Sequence, residues 1–400
     1  MIHTLDKSKE LLILTEHFQP STGATAQLVT DLVDDLYQAG VNVRVLTSTP
    51  GSPGQTYEIL RFTSSGRSLI GIFGKLIAGL RFFVGSFFWL LLNARSNQSV
   101  FIVSNPPFIG LVGLLLYFIK RTPYVFLLQD VFPRSASLTG VLPAKGPLMW
   151  FWRKLMQLVL SQSKSTVVLS QSMLKRCEKD FGAQTSLVSI SNWSVLTPVS
   201  TLKQDNPLAV AYGVANTFSV QYSGNFGRLH DILTLLECAR LLAHQDIKLV
   251  VVGDGAKKTQ ILKYQKEYHL KNLSVFPYQT RRDLPHSLAA CDVSIVSLIP
   301  GAEDTVAPSK FYGILASAKP VILIAAEDSE LASQILSAGC GLVVGNGDVQ
   351  GLVSAIMKLQ GDPHLTRRMG QNSARLYEKS FGRSQSIQRY REIFEMHQMI

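Results

Sequence analysis

Hydrophobic residues recur along the chain in two patterns, short unbroken runs and longer segments with helical spacing. The run LLILTEHF starts at Leu11, and the segment TAQLVTDLVDDLYQAG places Leu28, Leu32 and Leu36 on one side of a helix that Gly40 ends. VNVRVLTS follows as a second apolar run. Short apolar runs bounded by turn residues favour buried strands, whereas a period near 3.6 favours a helix. The first residues therefore predict a β-α-β unit.

The same alternation continues along the chain in two series. VFIVSNPP, YVFLLQD and STVVLS extend the first series. The stretch from Ser194 to Pro207 is polar, contains two prolines and has no sustained period, which is typical of a connection between domains. Strand and helix patterns resume at SVQYSGN and alternate as far as CGLVVGNG. We therefore predict an α/β protein with two facing Rossmann-like domains, each a doubly wound parallel sheet covered by helices.

Composition and local motifs exclude several classes of protein. The 400 residues, 46% hydrophobic, can bury large cores. The four cysteines are far apart without a CxxC pair, so we expect a reducing compartment and neither a zinc site nor a disulfide framework. Neither domain carries G-x-G-x-x-G after its first strand, which argues against dinucleotide binding. The run LLIL between Glu10 and Glu16 is too short for a signal peptide, so we expect no export.

The net charge of +11 is concentrated in the first half of the chain. Between Glu58 and Glu178 the only acidic residue is Asp130, which predicts a positive field and an acidic partner. Two segments there, Ser68 to Ser96 and Val100 to Lys120, are apolar enough to be considered as membrane spans. Basic residues interrupt the first segment and Asn-Pro-Pro interrupts the second, so we expect neither to span a bilayer.

We expect the second of these segments to form a core strand and a core helix. For the first, an aromatic segment with sparse basic residues favours a helix on an anionic bilayer surface, with a core helix as the alternative. The residues on which this expectation depends are Lys75, Arg81, Arg95, Phe82, Phe83, Phe87, Phe88 and Trp89.

Ligands of doubly wound sheets bind beyond the carboxyl ends of the strands, so the loops there hold the candidate binding residues. PSKFYGILASAKPVI begins a helix with Ser309 and Lys310, which places a cation at the positive end of the helix. A bound diphosphate explains that cation, and an ordinary exposed lysine is the alternative. Together the candidate loops of the second domain supply small residues for close backbone approach and two basic side chains. These loops are Gly224–His230, Gly253–Gly255, Tyr278–Arg282 and Gly301–Lys310.

Two sets of motifs resemble retaining glycosyltransferases of family 4. SGNFGRLHD, VVGDG, DVSIVSL, PSKFYGILASAKPVI, GCGLVVGNGD and MGQNSARLYEKSF resemble the family's nucleotide-sugar domain in order and spacing. FQPSTGATAQL, SNPPF, LQDVFP, VVLSQSM and ISNW resemble the subgroup that builds bacterial surface polysaccharides, such as lipopolysaccharide, and lipid-linked oligosaccharides. The resemblance implies the GT-B fold, with an acceptor and membrane-facing domain over residues 1–196, a nucleotide-sugar domain over 197–378, and a C-terminal helix, 379–400, that packs back toward the first domain.

The resemblance also implies the substrates and the location. The donor is expected to be a nucleotide-diphosphate sugar, UDP-linked rather than GDP-linked, that gives up a hexosyl or N-acetylhexosaminyl group. The implied acceptor is a lipid-linked saccharide, so an anionic membrane surface is an expected partner and nucleic acid is not. No metal or other cofactor is expected, because a helix dipole and basic side chains meet the phosphate charge. The implied location is cytoplasmic and peripheral, on the inner face of the cytoplasmic membrane.

The donor-site motifs depart from the family pattern at four positions. Many members carry Glu-x7-Glu, but here Thr305 and Gly313 occupy the two glutamate positions, so Glu303 or Glu330 is expected to contact the ribose instead. The family's Arg and Lys after the first strand of this domain are replaced by Asn225 and His230, the latter itself a donor-site candidate. Arg228 restores one positive charge. The remaining donor-binding candidates are Gly23, Gly224, Gly253, Tyr278, Ser309 and Lys310.

Asp130 is the catalytic candidate. It ends the strand YVFLLQD and matches the aspartate of the family's D-x-x-P motif in LQDVFP. An acceptor hydroxyl must lose a proton during transfer, and a positioned carboxylate can accept it, while Ser309, Lys310 and Arg228 stabilise the charge on the leaving diphosphate. Positive surroundings are expected to favour the ionised carboxylate. The alternative is that Asp130 only caps a turn.

Two other functions fit the same architecture. Loss of Glu-x7-Glu favours a non-catalytic nucleotide-binding or scaffold protein, and two facing Rossmann-like domains also suit a nucleotide-sugar epimerase. The apolar, basic segment from Ser68 argues against the epimerase, which needs no lipid-facing surface.

Overall fold

The computed structural model describes residues 9–52, 56–62, 72–95, 97–182, 186–197, 199 and 201–400. The chain divides into two compact units, one of Met1–Ser191 with Ser384–Ile400 and the other of Asn192–Arg383. The sequence placed these divisions after residues 196 and 378, whereas the structural units divide after residues 191 and 383. The polar stretch from Ser194 onward therefore belongs to the second unit, where the Lys203 ammonium lies 2.5 Å from a carboxylate oxygen of Asp292.

The first unit is built on a seven-stranded sheet in which all neighbouring strands are parallel. The strand order is β3-β2-β1-β4-β5-β6-β7, with the chain moving outward from the centre in both directions, which confirms the predicted doubly wound sheet. The strands are β1 Glu10–Leu14, β2 Val43–Thr47, β3 Glu58–Arg61, β4 Gln98–Val103, β5 Tyr124–Leu128, β6 Ser165–Val168 and β7 Leu187–Ser189.

Helices follow the strands of the first unit in sequence and bury their apolar sides against the sheet. The prediction that Val100 to Lys120 forms a core strand and helix is confirmed, since every β4 residue is buried. Two glycines let the following helix approach closely: a Cβ at Gly113 would lie 2.6 Å from Ile102, and one at Gly110 2.8 Å from Val159. The helices are α1 Ala24–Gln38, α2 Ile72–Asn93, α3 Gly110–Lys120, α4 Arg134–Leu138, α5 Pro147–Gln162 and α6 Gln171–Phe181.

Helix α2 covers most of the aromatic segment predicted to contact a membrane, although residues 63–71, Ser96 and the side chain of Lys75 lie outside the described part of the chain. Two of the aromatic residues chosen from the sequence face the protein. Phe82 is fully buried, and Trp89 is half-buried beneath the Arg44 guanidinium, 5.7 Å from its ring. By length and composition, Leu76–Asn93 is the one stretch within the described residues that could cross a bilayer.

The last helix of the chain, α15 Arg383–Met396, packs on the first unit. The rings of Tyr390 and Phe394 lie 5.8 and 5.3 Å from the ring of Phe101 in β4. The Ser386 hydroxyl donates to the carbonyl of Ser191, 3.0 Å away. These contacts cover the face of β4 with an aromatic cluster drawn from the far end of the sequence.

The second unit holds a six-stranded, fully parallel sheet in the order β10-β9-β8-β11-β12-β13. Its strands are β8 Phe218–Asn225, β9 Ile247–Asp254, β10 Leu273–Phe276, β11 Val293–Ser297, β12 Val321–Ile324 and β13 Gly341–Val344. The helices are α7 Pro207–Ala211, α8 Leu233–Leu241, α9 Lys258–Glu267, α10 Leu284–Ala289, α11 Lys310–Ala316, α12 Glu330–Ala338, α13 Val349–Gly361 and α14 Pro363–Ser380. The order again reverses at the first strand, so the loops after β8 and β11 begin on either side of one switch point.

Candidate functional site

The loops after β8 and β9 approach each other so closely that glycine is required. Gly253 has φ of 140°, and a Cβ there would lie 2.0 Å from the carbonyl oxygen of Gly224. Gly255 has φ of 148°, and its Cβ would lie 2.5 Å from the side-chain oxygen of Asn225. Gly224, with φ of 122°, leaves room for the side chain of Lys310 alongside. The predicted glycines thus let the loops after β8 and β9 pack against each other at one edge of the second sheet.

Lys310 extends from the start of α11 into this edge of the sheet. Its ammonium lies 3.5 Å from the centre of the Tyr222 ring and 3.3 Å from Nδ1 of His230. Part of the residue is reached by solvent, but the ammonium is packed among protein atoms, and burial lowers its pKa well below the usual value. An aromatic face and an imidazole favour a cation far less than a carboxylate does. A bound anion would therefore stabilise the charged form of Lys310.

His230 is in contact with the Lys310 side chain. The Tyr222 hydroxyl forms a hydrogen bond with Nδ1 of His230, 2.5 Å away. Burial, together with the charges of Lys310 and Lys257, lowers the pKa of His230 to about 2. The imidazole is therefore neutral at physiological pH. The Lys257 ammonium donates to the His230 carbonyl, which brings a second cation to the same loop.

Tyr222 and Lys257 were not identified from the sequence. Lys257 follows the VVGDG motif by two residues, and this adjacency is the signal that could have identified it. Tyr222 belongs to strand β8 and offers no such signal, because only the fold shows that its ring lies under Lys310.

The other predicted donor residues lie in loops at this edge of the sheet, and they differ in exposure and in hydrogen bonding. Ser309 is the residue before α11 and makes no capping bond through its side chain; α11 itself has only seven residues. Arg228 is exposed in the loop after β8. Tyr278 is exposed beyond β10, with its hydroxyl 3.5 Å from the Asp254 carbonyl. Lys310 and His230 are thus in contact, whereas Arg228 and Tyr278 lie exposed on neighbouring loops.

Both acidic candidates accept hydrogen bonds from nearby protein groups. A carboxylate oxygen of Glu303 accepts the backbone N–H of Ala326 at 3.1 Å, and one of Glu330 accepts from the Gln334 side chain at 3.1 Å. Gly313, at the position of the family's second glutamate, is buried, and a Cβ there would lie 3.2 Å from Leu288. Space for a side chain at this position is therefore small. The ribose contact assigned to Glu303 or Glu330 stays a prediction.

Asp130 lies at the carboxyl edge of the first sheet, two residues after β5 ends. Part of the residue is exposed, but protein packed around the carboxyl group removes part of its hydration and raises its pKa to about 6. The expectation that positive surroundings favour the ionised form is wrong in direction, because loss of hydration outweighs the basic charges of this half of the chain. A carboxyl with a pKa near 6 is suited to accept a proton from a substrate at neutral pH.

Beside Asp130 lies a polar cluster that the sequence does not indicate. The side-chain oxygen of Gln129 accepts from the Thr25 hydroxyl at 2.9 Å and from the Asn105 amide at 3.1 Å, and its backbone N–H donates to Ser104. These bonds join α1, the β4 loop and the β5 loop. Both donors use the amide oxygen, so the NH₂ group of Gln129 remains to donate to a ligand. Gly23, the residue before α1, lies at this same unit's surface, where a Cβ would meet only Ser21, at 3.7 Å.

Replacing Gln129 by alanine is expected to raise the KM for the acceptor by roughly five- to tenfold, the effect of one neutral hydrogen bond. Donor affinity is expected to stay unchanged, because Gln129 lies in the first unit. Initial rates at saturating donor measure the acceptor KM, and Gln38→Ala at the exposed end of α1 is the matched control. An unchanged acceptor KM in Gln129→Ala would show that the cluster only supports the fold.

Two family models match the chain, one in each half. The model described as Glycosyltransferase Family 4 matches residues 25–193, and the model described as Glycosyl transferases group 1 matches residues 215–376. The chain is therefore a glycosyltransferase, and its first half matches family 4. It is not the epimerase that the same two-domain architecture also suits.

Curated relatives of this glycosyltransferase come from two bacteria. The probable glycosyltransferase WbjE of Pseudomonas aeruginosa is 27% identical over 294 residues, which are 72% of this chain and 72% of WbjE. The putative colanic acid biosynthesis glycosyl transferase WcaI of Escherichia coli (strain K12) is 24% identical over 349 residues, which are 80% of this chain and 84% of WcaI. Both relatives match over most of their length.

Solved structures with the same fold include other GT-B glycosyltransferases, which confirms the predicted fold class. Sucrose-phosphate synthase from Thermosynechococcus elongatus has a TM-score of 0.79 at 17% identity and covers 97% of this chain and 100% of its own. Anabaena Alr3699/HepE, solved in complex with UDP-glucose, has a TM-score of 0.75 at 17% identity and covers 98% and 100%. WaaG, a glycosyltransferase involved in lipopolysaccharide biosynthesis, has a TM-score of 0.67 at 14% identity and covers 92% and 95%.

Proposed function

We propose that this glycosyltransferase moves a sugar from a nucleoside-diphosphate donor to a hydroxyl of a lipid-linked saccharide during bacterial surface polysaccharide synthesis. The observation that carries the donor assignment is the Lys310 ammonium, held against Tyr222 and neutral His230 where a diphosphate can supply the missing negative charge. The complexes of the Anabaena neighbour with UDP and UDP-glucose support a UDP-linked donor. The naming of WcaI for colanic acid biosynthesis supports a polysaccharide product.

In the proposed reaction, the bond between the anomeric carbon and the diphosphate oxygen breaks as the bond to the acceptor oxygen forms. Lys310, with Lys257 and the exposed Arg228 nearby, stabilises the charge that builds up on the departing diphosphate. The Asp130 carboxylate takes the proton of the acceptor hydroxyl. We propose that the anomeric configuration is retained, as the family resemblance implies, and that no metal ion takes part. The proposed location is the inner face of the cytoplasmic membrane, where a lipid-linked acceptor is found.

The test is a screen of radiolabelled UDP- and GDP-sugars with the purified enzyme and membrane extracts. Transfer of label into lipid that depends on the enzyme is the expected result. Label transferred only to water-soluble saccharides would refute the lipid-linked acceptor, and preference for GDP-sugars would refute the UDP donor. NMR of the product gives the anomeric configuration, and an inverted linkage would contradict retention.

A further inference from the structure

Arg61 ends strand β3, and the backbone of two loops holds its side chain. Its Nε donates to the carbonyl of Ser52 at 2.9 Å, and its Nη1 donates to the carbonyls of Gln19 and Thr49 at 3.1 and 2.8 Å. Gly51 lets the backbone lie against the guanidinium, since a Cβ there would be 3.0 Å from Cζ of Arg61. Three carbonyls from the loops after β1 and β2 thus fix the orientation of this guanidinium.

Hydroxyl groups tie these two loops to each other. Three consecutive hydroxyls donate to the carbonyl of Glu16 at 3.0 to 3.1 Å, those of Thr47, Ser48 and Thr49. The Thr49 hydroxyl also accepts the backbone N–H of Phe18 at 3.0 Å. The guanidinium is therefore preorganised, and little conformational entropy remains to be lost when it binds a ligand.

The charge of Arg61 has no carboxylate partner among the described residues. Its three hydrogen bonds go to neutral carbonyls, and the two N–H groups on Nη2 have no acceptor in this part of the chain. Burial lowers the pKa of Arg61, but a guanidinium stays charged at physiological pH. A fixed guanidinium with unused N–H groups and no counter-ion is suited to bind a carboxylate or phosphate oxygen.

Two acidic side chains on neighbouring elements bind elsewhere. A carboxylate oxygen of Glu58, at the start of β3, lies 2.9 Å from Nε of Arg44. A carboxylate oxygen of Asp34, on α1, accepts the Tyr57 hydroxyl at 2.8 Å. Neither pair includes the guanidinium of Arg61, so its counter-ion can come from a ligand.

Arg61 lies at the same edge of the first sheet as Asp130. The two residues are at the carboxyl ends of β3 and β5, which are four positions apart in the strand order. Neighbouring strands are about 4.8 Å apart, so the two residues are separated by about 19 Å along this edge. A ligand that reaches both must be extended, and an anionic group at Arg61 then lies outside the sugar ring that reacts at Asp130.

We propose that Arg61 binds an anionic group of the acceptor, a phosphate or a carboxylate, while the reacting hydroxyl at the other end of the acceptor lies beside Asp130. This inference rests on the proposed function and deepens it, because it makes the acceptor an extended, acidic saccharide. A phosphate comes from the link to the lipid, and a carboxylate comes from an acidic sugar. The charge of Arg61 also attracts such an acceptor to this edge of the sheet.

Anion binding at Arg61 is tested without sugar transfer. The enzyme, with isotope-labelled arginine and saturated with UDP to occupy the donor site, is titrated with pyrophosphate or with the methyl glycoside of glucuronic acid. The side-chain NMR signals of Arg61, assigned by their absence in Arg61→Lys, are expected to shift in a saturable way. The anion that binds more tightly identifies the source of the charge. No saturable shift with either anion would overturn the proposal, whether or not the enzyme transfers a sugar.

Arg61→Gln is expected to raise the apparent KM for the acceptor by about 10- to 100-fold, because a charge-assisted hydrogen bond is lost. Membrane extract supplies the acceptor, and initial rates are measured at saturating donor. UDP affinity and kcat are expected to stay within about twofold, since the donor contacts are in the second unit. Arg121→Gln, which changes an exposed arginine before β5 at the opposite edge of the sheet, is the control. The same acceptor KM in both variants would refute the site.

Salt distinguishes binding of an anion from support of the loops. The acceptor KM of the unmodified enzyme is expected to rise with salt, because screening weakens the attraction, and Arg61→Gln is expected to lose most of this dependence. Arg61→Lys keeps the charge and is expected to recover part of both properties. A raised KM with the full salt dependence would show that Arg61 only supports the loops. Thermal unfolding shows whether Arg61→Gln is folded, and if it is not, the titration of the unmodified enzyme decides the proposal.

Discussion

Replacing Asp130 by asparagine is expected to lower turnover about 10²-fold or more, the usual scale of general base assistance. The asparagine amide has nearly the same shape but cannot take the proton of the acceptor hydroxyl. Donor affinity is expected to stay within about twofold, because the donor contacts lie in the second unit. Steady-state rates with saturating donor, together with calorimetric titration of UDP, separate these two effects.

The pH profile adds a second check on Asp130. Because its pKa is raised to about 6, the carboxylate is protonated below that pH and cannot act as a base. Activity of the unmodified enzyme is therefore expected to rise with pH through about 6 and then level off, and Asp130→Asn is expected to lose this step. Asp246→Asn, at an exposed position before β9, is the control. Turnover of Asp130→Asn within a few-fold of the unmodified enzyme would make Asp130 a structural residue.

Lys310→Met is expected to weaken UDP binding by roughly 10- to 150-fold, which corresponds to the roughly 1.5–3 kcal/mol of a charge-assisted hydrogen bond. Methionine keeps the apolar packing on Tyr222 but removes the cation. Turnover is expected to fall as well, since the same charge stabilises the leaving diphosphate. Arg228→Ala is expected to lower both quantities less, because Arg228 is exposed and its interaction with phosphate is screened. Lys263→Met on α9 is the control, and wild-type UDP affinity in Lys310→Met would remove the diphosphate from this site.

Burial of Lys310 makes UDP binding depend on pH with a definite sign. Its pKa lies well below the usual value in the free enzyme, and a bound diphosphate favours the charged form and raises that pKa. Binding is therefore expected to take up protons and to weaken as pH rises. Calorimetry at about pH 8.5, where the UDP phosphates are fully ionised, in buffers of different ionisation enthalpy measures this uptake. Lys310→Arg stays charged and is expected to bind with little uptake.

The sequence by itself determined most strands of both units and their parallel arrangement. Apolar runs such as LLIL and VFIV and the helical spacing of Leu28, Leu32 and Leu36 predict the parallel sheets, because burial on both faces demands continuous hydrophobic strands. Since ligand sites of such sheets lie at the carboxyl ends of the strands, the loops holding Asp130 and Lys310 followed from the element order.

The tertiary structure alone decided which of these residues meet and what charge they carry. Tyr222, His230 and Lys310 come from β8, its loop and α11, and their contacts depend on how the strands are ordered. The pKa of Asp130 depends on burial, which basic composition did not predict. On α2, spacing alone could not tell Phe82 from Phe88, because both belong to one long apolar segment. Packing against the sheet buried the first and left the second exposed to solvent.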